Sequence, residues 1–112
     1  EKIIDDLIPG DGDLIIKKGK YSGFYGTELD KILEKKGRKN LVFSGLQTSL
    51  SVRHTVADAY YRDYRCIMLT NACCDVKKDL NLKSILYIRD FYGASAVSTM
   101  NFPRLYLSEE GI

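Results

Sequence analysis

Four short runs of apolar residues divide the chain. A continuous apolar run bounded by turn residues is typical of a strand that is buried on both faces, as in a parallel sheet. We therefore predict a strand in each run. The runs are LII at 14–16, NLVFSG at 40–45, RCIML at 65–69 and ASAVST at 94–99.

Between these runs the apolar residues follow helical spacing. Leu29, Ile32 and Leu33 stand at i, i+3 and i+4, which places them on one face of a helix. Thr27 is suited to cap the start of this helix, and Gly37 to end it in the left-handed conformation. The same reasoning predicts two further helices. The predicted helices cover residues 28–36, 51–62 and 79–92.

Strands that alternate with helices are typical of a doubly wound α/β fold. We predict a three-layer α/β/α arrangement with a mostly parallel sheet, whose carboxyl ends meet at one edge where such folds bind ligands. The whole chain, 1–112, is expected to form a single domain, with a tail over 103–112 that has no clear period. About four strands make a thin sheet, so we expect only part of a larger fold.

Composition and charge limit the partners. The chain has 112 residues, of which 45% are hydrophobic, and 17 basic against 15 acidic residues leave a net charge of +2. No long basic run is available for phosphate contacts, so we expect neither nucleic acid nor an anionic membrane as the main partner. No apolar run approaches the ~20 residues of a membrane span, and we expect no secretory leader.

The cysteines indicate a reducing environment. Cys66, Cys73 and Cys74 are an odd number and lack the spacing of a disulfide framework, which favours an intracellular, most simply cytoplasmic, location. With His54 as the only histidine and no CxxC pair, we predict no metal site, and nothing in the sequence indicates a cofactor. The three cysteines are expected to pack as small apolar residues.

Three stretches carry a resemblance to a known superfamily. They are GDLIIKKGKYSGFYGTELDKIL at 12–33, NLVFSGLQTSLSVRHTVADAY at 40–60 and YRCIMLTNAC at 64–73. Together they resemble the isochorismatase-like cysteine hydrolases, which include nicotinamidases, carbamoylsarcosine amidases and ureidoacrylate amidohydrolases. The residue pattern over 18–30 and 86–98 is most similar to that of the ureidoacrylate amidohydrolase branch. The resemblance implies that this chain corresponds to the C-terminal half of that fold.

The resemblance implies a particular chemistry. In this superfamily a cysteine at a helix N-terminus attacks an amide or related carbonyl, a lysine favours its thiolate, and an aspartate from an earlier strand is the general base. A helix N-terminus and an ammonium group both stabilise a thiolate, so the arrangement is physically sound. Carried over by position, Lys18 takes the role of the lysine. Ser51 stands at the position of the cysteine.

The resemblance also implies a binding corner around Ser51. It places a cis peptide bond between Leu46 and Gln47, and it assigns the backbone N–H groups of Gln47 and Ser51 to an oxyanion site. The substrate would be a small amide or ureido compound. The side chains expected to contact it are Tyr21, Phe24 and Thr48.

Ser51 leaves several interpretations open. It is a good N-cap residue for the predicted helix 51–62. At a nucleophile position it indicates an engineered change, a natural loss of catalysis, or a Ser51–Lys18 dyad with neutral lysine as the base. A serine hydroxyl is a much weaker acid than a thiol, so we expect loss of catalysis.

Three functions follow from these interpretations. The first is a catalytically degenerate domain, a pseudoenzyme, that binds or scaffolds; its ancestral reaction would be amide or ureido C–N hydrolysis. The second is an active amidohydrolase of the ureidoacrylate or nicotinamidase type, with an engineered Cys-to-Ser change at Ser51 and its N-terminal half elsewhere. The third is a structural subunit of a larger assembly. The expected partners are the N-terminal half of the fold, another chain or further copies. Self-association through tyrosines such as Tyr60, Tyr61 and Tyr92 is as well supported by the sequence as core packing of these rings.

Overall fold

The structure is a computed structural model, and it describes residues 9–107. None of the helices in this range is long and apolar enough to cross a membrane. The elements in chain order are α1 (Leu29–Lys35), β1 (Asn40–Leu46), a π-helical turn (Thr48–Val52), α2 (Arg53–Tyr61), β2 (Arg65–Cys74), α3 (Lys78–Tyr92), β3 (Ser95–Val97) and α4 (Phe102–Tyr106).

The three strands form one parallel sheet in the order β1-β2-β3. Residues Leu41 and Cys66 are register partners, as are Met68 of β2 and Ala96 of β3. Parallel neighbours require crossover connections, and here α2 and α3 provide them. The predicted α/β class with a parallel sheet and intervening helices is therefore confirmed.

The main core lies between one face of the sheet and helices α2 and α3. Met68 points to this side from the central strand, and Val56 and Ile88 meet it from the two helices; all three are fully buried. Burying an aliphatic side chain of this size stabilises the fold by about 1.5–3 kcal/mol. The central strand therefore holds both helices against the sheet.

The opposite face of the sheet is covered in part by α4. Val42 and Ile67 point to this side, and Phe102 and Tyr106 of α4 border a cavity of about 200 Å³ with them. Helices thus lie on both sides of the sheet, which gives the three layers. The sequence predicted no regular structure in this tail, whereas Pro103, which is preorganised for a first helical turn, begins a short helix there.

The predicted strand at 14–16 is wrong. In the described part of the chain no strand pairs with this segment, and its side chains Leu14 and Ile15 are exposed. An apolar run reports a tendency toward burial, but a strand also needs a neighbour to satisfy its backbone groups. Residues 9–107 provide no such neighbour for this segment.

Strand β2 is longer than predicted, because two polar residues interrupt its apolar pattern without ending the strand. It continues beyond residue 69 through Thr70 and Asn71 to Cys74. The register passes from Phe43↔Met68 to Gly45↔Cys73, so β2 gains three residues on β1 at this irregularity. Extra residues of this kind bend a strand and redirect its end. The bend brings the end of β2 beside the end of β1.

Helix α1 begins and ends close to the predicted bounds. The Thr27 hydroxyl accepts the N–H of Leu29 at 3.3 Å, and Gly37 has the left-handed φ of 66° that ends the helix. The Tyr64 hydroxyl donates to Asp30 on this helix at 2.7 Å. Burial, together with this bond to a carboxylate, raises the pKa of Tyr64 to about 12.

The three cysteines differ in exposure. Cys66 and Cys73 are buried, whereas Cys74 is exposed. Burial raises the pKa of Cys66 to about 11 and also raises the pKa of Cys73. Both buried thiols therefore stay protonated near neutral pH. The expected packing of the cysteines as small apolar residues is therefore confirmed for Cys66 and Cys73 and is wrong for Cys74.

The core assignment predicts unequal effects of two substitutions in α3. Ile88 is 0% exposed and Leu82 is 58% exposed on the same helix. Ile88→Ala should lower the free energy of unfolding by about 2–5 kcal/mol, because it leaves a cavity in the core. Leu82→Ala, the matched control, should change it by less than about 1 kcal/mol. Urea denaturation measures both, and equal losses would contradict the assignment of this face.

The thiol environments predict selective labelling. Iodoacetamide at pH 8 should modify Cys74 alone in the folded protein, because Cys66 and Cys73 are buried and carry raised pKa values. Peptide mass spectrometry locates the modified residue. In a Cys74→Ser variant, native labelling should vanish and labelling in urea should reach two sites. Rapid native modification of Cys66 would show that the core opens readily.

Candidate functional site

A sharp corner joins β1 to α2. The peptide bond between Leu46 and Gln47 is cis, at the position that the superfamily resemblance implies. The chain then enters the π-helical turn, where the Gln47 carbonyl accepts the N–H groups of Leu50 at 3.1 Å and Val52 at 3.2 Å. This turn continues directly into α2. The sequence predicted the helix to begin at 51, three residues after the turn begins.

The corner is anchored by a buried hydroxyl. Thr48 is fully buried, donates to the carbonyl of Cys74 at 3.0 Å and contacts the side-chain amide of Asn81. The expectation that Thr48 contacts a substrate is therefore corrected. Its hydroxyl is used within the fold because the bent end of β2 brings the Cys74 carbonyl beneath the corner.

A carboxylate also holds the corner. The N–H of Ser49 donates to Asp75 at 2.7 Å, and hydrogen bonding from Ser49 lowers the pKa of this carboxyl. Sequence reasoning missed both Asp75 and Asn81 as corner residues. The available signal was the position of Asp75 directly after β2 and of Asn81 near the start of the next helix, but it was hidden because the predicted strand ended at residue 69.

Lys18 and Ser51 come together. The Lys18 Nζ lies 3.5 Å from the Ser51 Oγ and also donates to the carbonyl of Lys20 at 3.2 Å. Ser51 lies inside the helical turn, and no side-chain capping bond is present at the start of this turn or of α2. The N-cap interpretation of Ser51 is therefore wrong. What Ser51 does have is an ammonium group beside its hydroxyl.

An open groove borders this pair. Its volume is about 520 Å³, and we call it the Ser51 groove. Tyr21, one of the predicted substrate contacts, lies in its wall. The groove is lined by Lys18, Gly19, Lys20, Tyr21 and Ser51.

Phe24 lies elsewhere. It is only 3% exposed, and its ring packs 5.8 Å from that of Tyr64 in the core. The reason is the path of the preceding loop, in which the N–H of Gly23 donates to the Thr55 hydroxyl on α2 at 2.9 Å. That bond turns Phe24 inward, so the expected contact between Phe24 and a substrate is corrected.

A second cavity adjoins the groove, and sequence reasoning did not foresee it. It has a volume of about 300 Å³, and we call it the Tyr25 cavity. His54 stands in its wall one helical turn after Ser51, which is the signal that the sequence offered. The lining residues are Lys20, Tyr21, Ser22, Tyr25, His54 and Asp58.

Hydrogen bonds fix the walls of this cavity. The Nδ1 of His54 lies 2.7 Å from the Leu50 carbonyl, which can only accept, so Nδ1 carries the proton. The His54 ring lies 5.6 Å from that of Tyr21. Asp58 accepts the Ser22 hydroxyl and lies 3.5 Å from the guanidinium of Arg62. The charge of Asp58 is thus compensated within the fold.

Positively charged side chains therefore dominate the surroundings of the two spaces. Lys18 and Lys20 border the Ser51 groove, and among residues 9–107 neither forms a salt bridge. In the same range no cluster of three or more His, Cys, Asp or Glu side chains is placed to hold a metal. The arrangement can bind a small polar or anionic molecule next to the Ser51 hydroxyl.

Known proteins are similar to this chain in sequence and in structure. The sequence model of the isochorismatase domain matches residues 1–100. A ureidoacrylate amidohydrolase, RutB from Yersinia enterocolitica serotype O:8 / biotype 1B, is 38% identical over 92 residues, which are 81% of this chain and 40% of that protein.

Solved structures agree with these matches. An isochorismatase family protein from Desulfovibrio vulgaris superimposes with a TM-score of 0.89 at 28% identity, covering 96% of this chain and 56% of that one. The N-carbamoylsarcosine amidase from Thermoplasma acidophilum gives a TM-score of 0.78 at 39% identity, covering 87% and 54%. This chain thus spans roughly half the length of the proteins it matches. It belongs to the isochorismatase family.

Proposed function

We propose that this chain forms the C-terminal part of an amide- or ureide-binding site, and that the site binds such compounds without hydrolysing them. The pair formed by Lys18 and Ser51, 3.5 Å apart beside an open groove, carries the proposal. Related proteins are named as a ureidoacrylate amidohydrolase and an N-carbamoylsarcosine amidase. Ser51 stands in the proposed site where those hydrolases are expected to have a cysteine.

The chemistry of the pair supports binding over turnover. A hydroxyl needs a strong general base before it can attack a carbonyl, whereas a thiol is converted to its anion far more easily. A lysine side chain normally carries an ammonium group, which only donates hydrogen bonds and cannot accept the proton of Ser51. The same ammonium group can bind the oxygen of a carbonyl or a carboxylate.

The missing half of the fold is the expected partner. A general-base carboxylate would come from a strand outside this chain's described residues, either in a longer form of the protein or in another chain. Two described carboxylates near the corner already have partners within the fold. Asp75 accepts the Ser49 N–H, and Asp58 forms a salt bridge with Arg62. Intracellular location and assembly into oligomers remain part of this proposal.

The alternative function is an active amidohydrolase. The observation that favours it is again the 3.5 Å approach of Lys18 to Ser51, because a neutral lysine at this distance would be a base for the hydroxyl. Binding measurements do not separate the two functions. Turnover by the serine form does.

Replacement of Ser51 tests the proposal. The full-length protein with Ser51 should bind ureidoacrylate or N-carbamoylsarcosine in calorimetry but release no ammonia from either. The Ser51→Cys variant should gain measurable hydrolysis, because a thiolate is a competent nucleophile at this corner. Ser49→Cys, which adds a thiol two residues away, is the matched control and should remain inactive.

Two results would contradict the proposal. Hydrolysis by the protein with Ser51, abolished by Ser51→Ala, would establish the active dyad. Absence of binding to every amide and ureido compound tested would remove the site altogether.

The role of Lys18 gives a separate prediction. In the Ser51→Cys variant the nearby ammonium should lower the pKa of the introduced thiol, because it favours the charged form. Adding Lys18→Met should raise that pKa by about one unit, whereas Lys17→Met should leave it within a few tenths of a unit. The pH dependence of alkylation by iodoacetamide measures both values. Equal shifts would show that the position of Lys18 beside residue 51 has no electrostatic effect.

A further inference from the structure

We propose that the Tyr25 cavity is a second subsite that takes an aromatic group of the ligand, while a carboxylate of the same ligand faces Lys20. This inference rests on the proposed function, since it names the ligand class of the same site. The ligand would be an N-carbamoyl or N-acyl compound that carries both a carboxylate and an aromatic ring.

The two spaces are adjacent. Lys20 and Tyr21 line both the Ser51 groove and the Tyr25 cavity. Ser51 in the π-helical turn and His54 near the start of α2 are three residues apart in one continuous helical segment, so their side chains project toward the same side. A molecule with its carbonyl at Ser51 therefore has the Tyr25 cavity as its neighbouring space.

The walls of the cavity suit a flat ring. Three of the six lining side chains are aromatic rings, namely Tyr21, Tyr25 and His54, and Tyr25 is 63% exposed. Exposed aromatic side chains around a cavity place apolar surface in contact with water, which a ring of the ligand would cover. The volume of about 300 Å³ lies at the lower end of the range for ligand pockets.

Hydrogen bonds within the protein hold the wall of the Tyr25 cavity in place. The Nδ1–H of His54 donates to the Leu50 carbonyl, and this bond fixes the imidazole beside Tyr21. Gly23, bonded to Thr55, fixes the loop that carries Tyr21 and Tyr25. A preformed wall reduces the entropy lost on binding.

The charges select an anion. Lys20 borders the cavity without a salt bridge to any described residue, whereas the Asp58 carboxylate is occupied by Ser22 and Arg62. An aromatic cage with a free carboxylate would favour a cationic ligand. Here the free charge is the ammonium of Lys20, so a carboxylate on the ligand is favoured.

Three matched probes test the inference by calorimetry on the full-length protein. N-carbamoylphenylalanine has the ring and the carboxylate, N-carbamoylalanine lacks the ring, and phenethylurea lacks the carboxylate. N-carbamoylphenylalanine should bind about tenfold more tightly than N-carbamoylalanine, because its ring is covered by the cavity walls. It should also bind several-fold more tightly than phenethylurea, and Lys20→Met should remove that second difference.

Variants locate the ring. Tyr25→Ala and, separately, His54→Ala should bring the affinity for N-carbamoylphenylalanine down to that for N-carbamoylalanine, while the affinity for N-carbamoylalanine stays the same. Tyr61→Ala is the control, because Tyr61 is 73% exposed on α2 and does not line the cavity. If Tyr25→Ala lowers the thermal stability of the protein, Tyr25→Leu replaces it, because leucine keeps a large apolar side chain but removes the aromatic ring.

The outcomes are distinct. If N-carbamoylalanine binds but the ring brings no gain, the second subsite is overturned and the proposed function stands. If the ring brings a gain that Tyr25→Ala and His54→Ala leave intact, the subsite is also overturned, since the ring then binds elsewhere. If no probe binds, both proposals fall. A ring-dependent gain lost in both variants supports the subsite.

Discussion

The arrangement of this domain depends on one buried hydroxyl. Thr48 lies at the corner after β1 and links it to the carbonyl of Cys74, at the end of β2, and to Asn81 on α3. A buried carbonyl left without a partner costs about 1–3 kcal/mol, so this contact strongly favours one position of the corner. Three elements that are distant in sequence are thereby fixed around a single residue.

The positions of the side chains that line the Ser51 groove and the Tyr25 cavity follow from that corner. Once the π-helical turn is fixed, Ser51 within it and His54 and Thr55 on α2 face the loop that precedes α1. Thr55 then binds the N–H of Gly23 at 2.9 Å, which places Tyr21 in the wall of both spaces and Phe24 in the core. The Ser51 groove therefore results from packing within the fold. Two hydrogen bonds lead to it, one from the Thr48 hydroxyl to the Cys74 carbonyl and one from the Gly23 N–H to the Thr55 hydroxyl.

Much of the fold could be predicted from the sequence because its signals are local. The apolar run at 40–45 and the spacing of residues 79–92 correspond to β1 and α3 almost to the residue. The segment at 14–16 has an equally apolar pattern, but its fate depends on a pairing partner, which a local pattern does not contain. The use of Thr48 likewise depends on the irregular register of β2, which becomes visible only once the strands are paired. The direction of Phe24 depends on the bond between Gly23 and Thr55, which are distant in sequence.

The same reasoning explains how a serine can occupy position 51 without disturbing the corner. The bonds that hold the corner come from Thr48, from the Ser49 N–H to Asp75 and from the Gln47 carbonyl. Among residues 9–107, the only hydrogen bond of the Ser51 side chain is its contact with Lys18, at 3.5 Å. Because the residues that hold the corner differ from residue 51, the identity of residue 51 can change while the groove, its charge and its aromatic wall stay in place. The proposed binding without turnover therefore requires a change of one side chain and no change in the architecture of the corner.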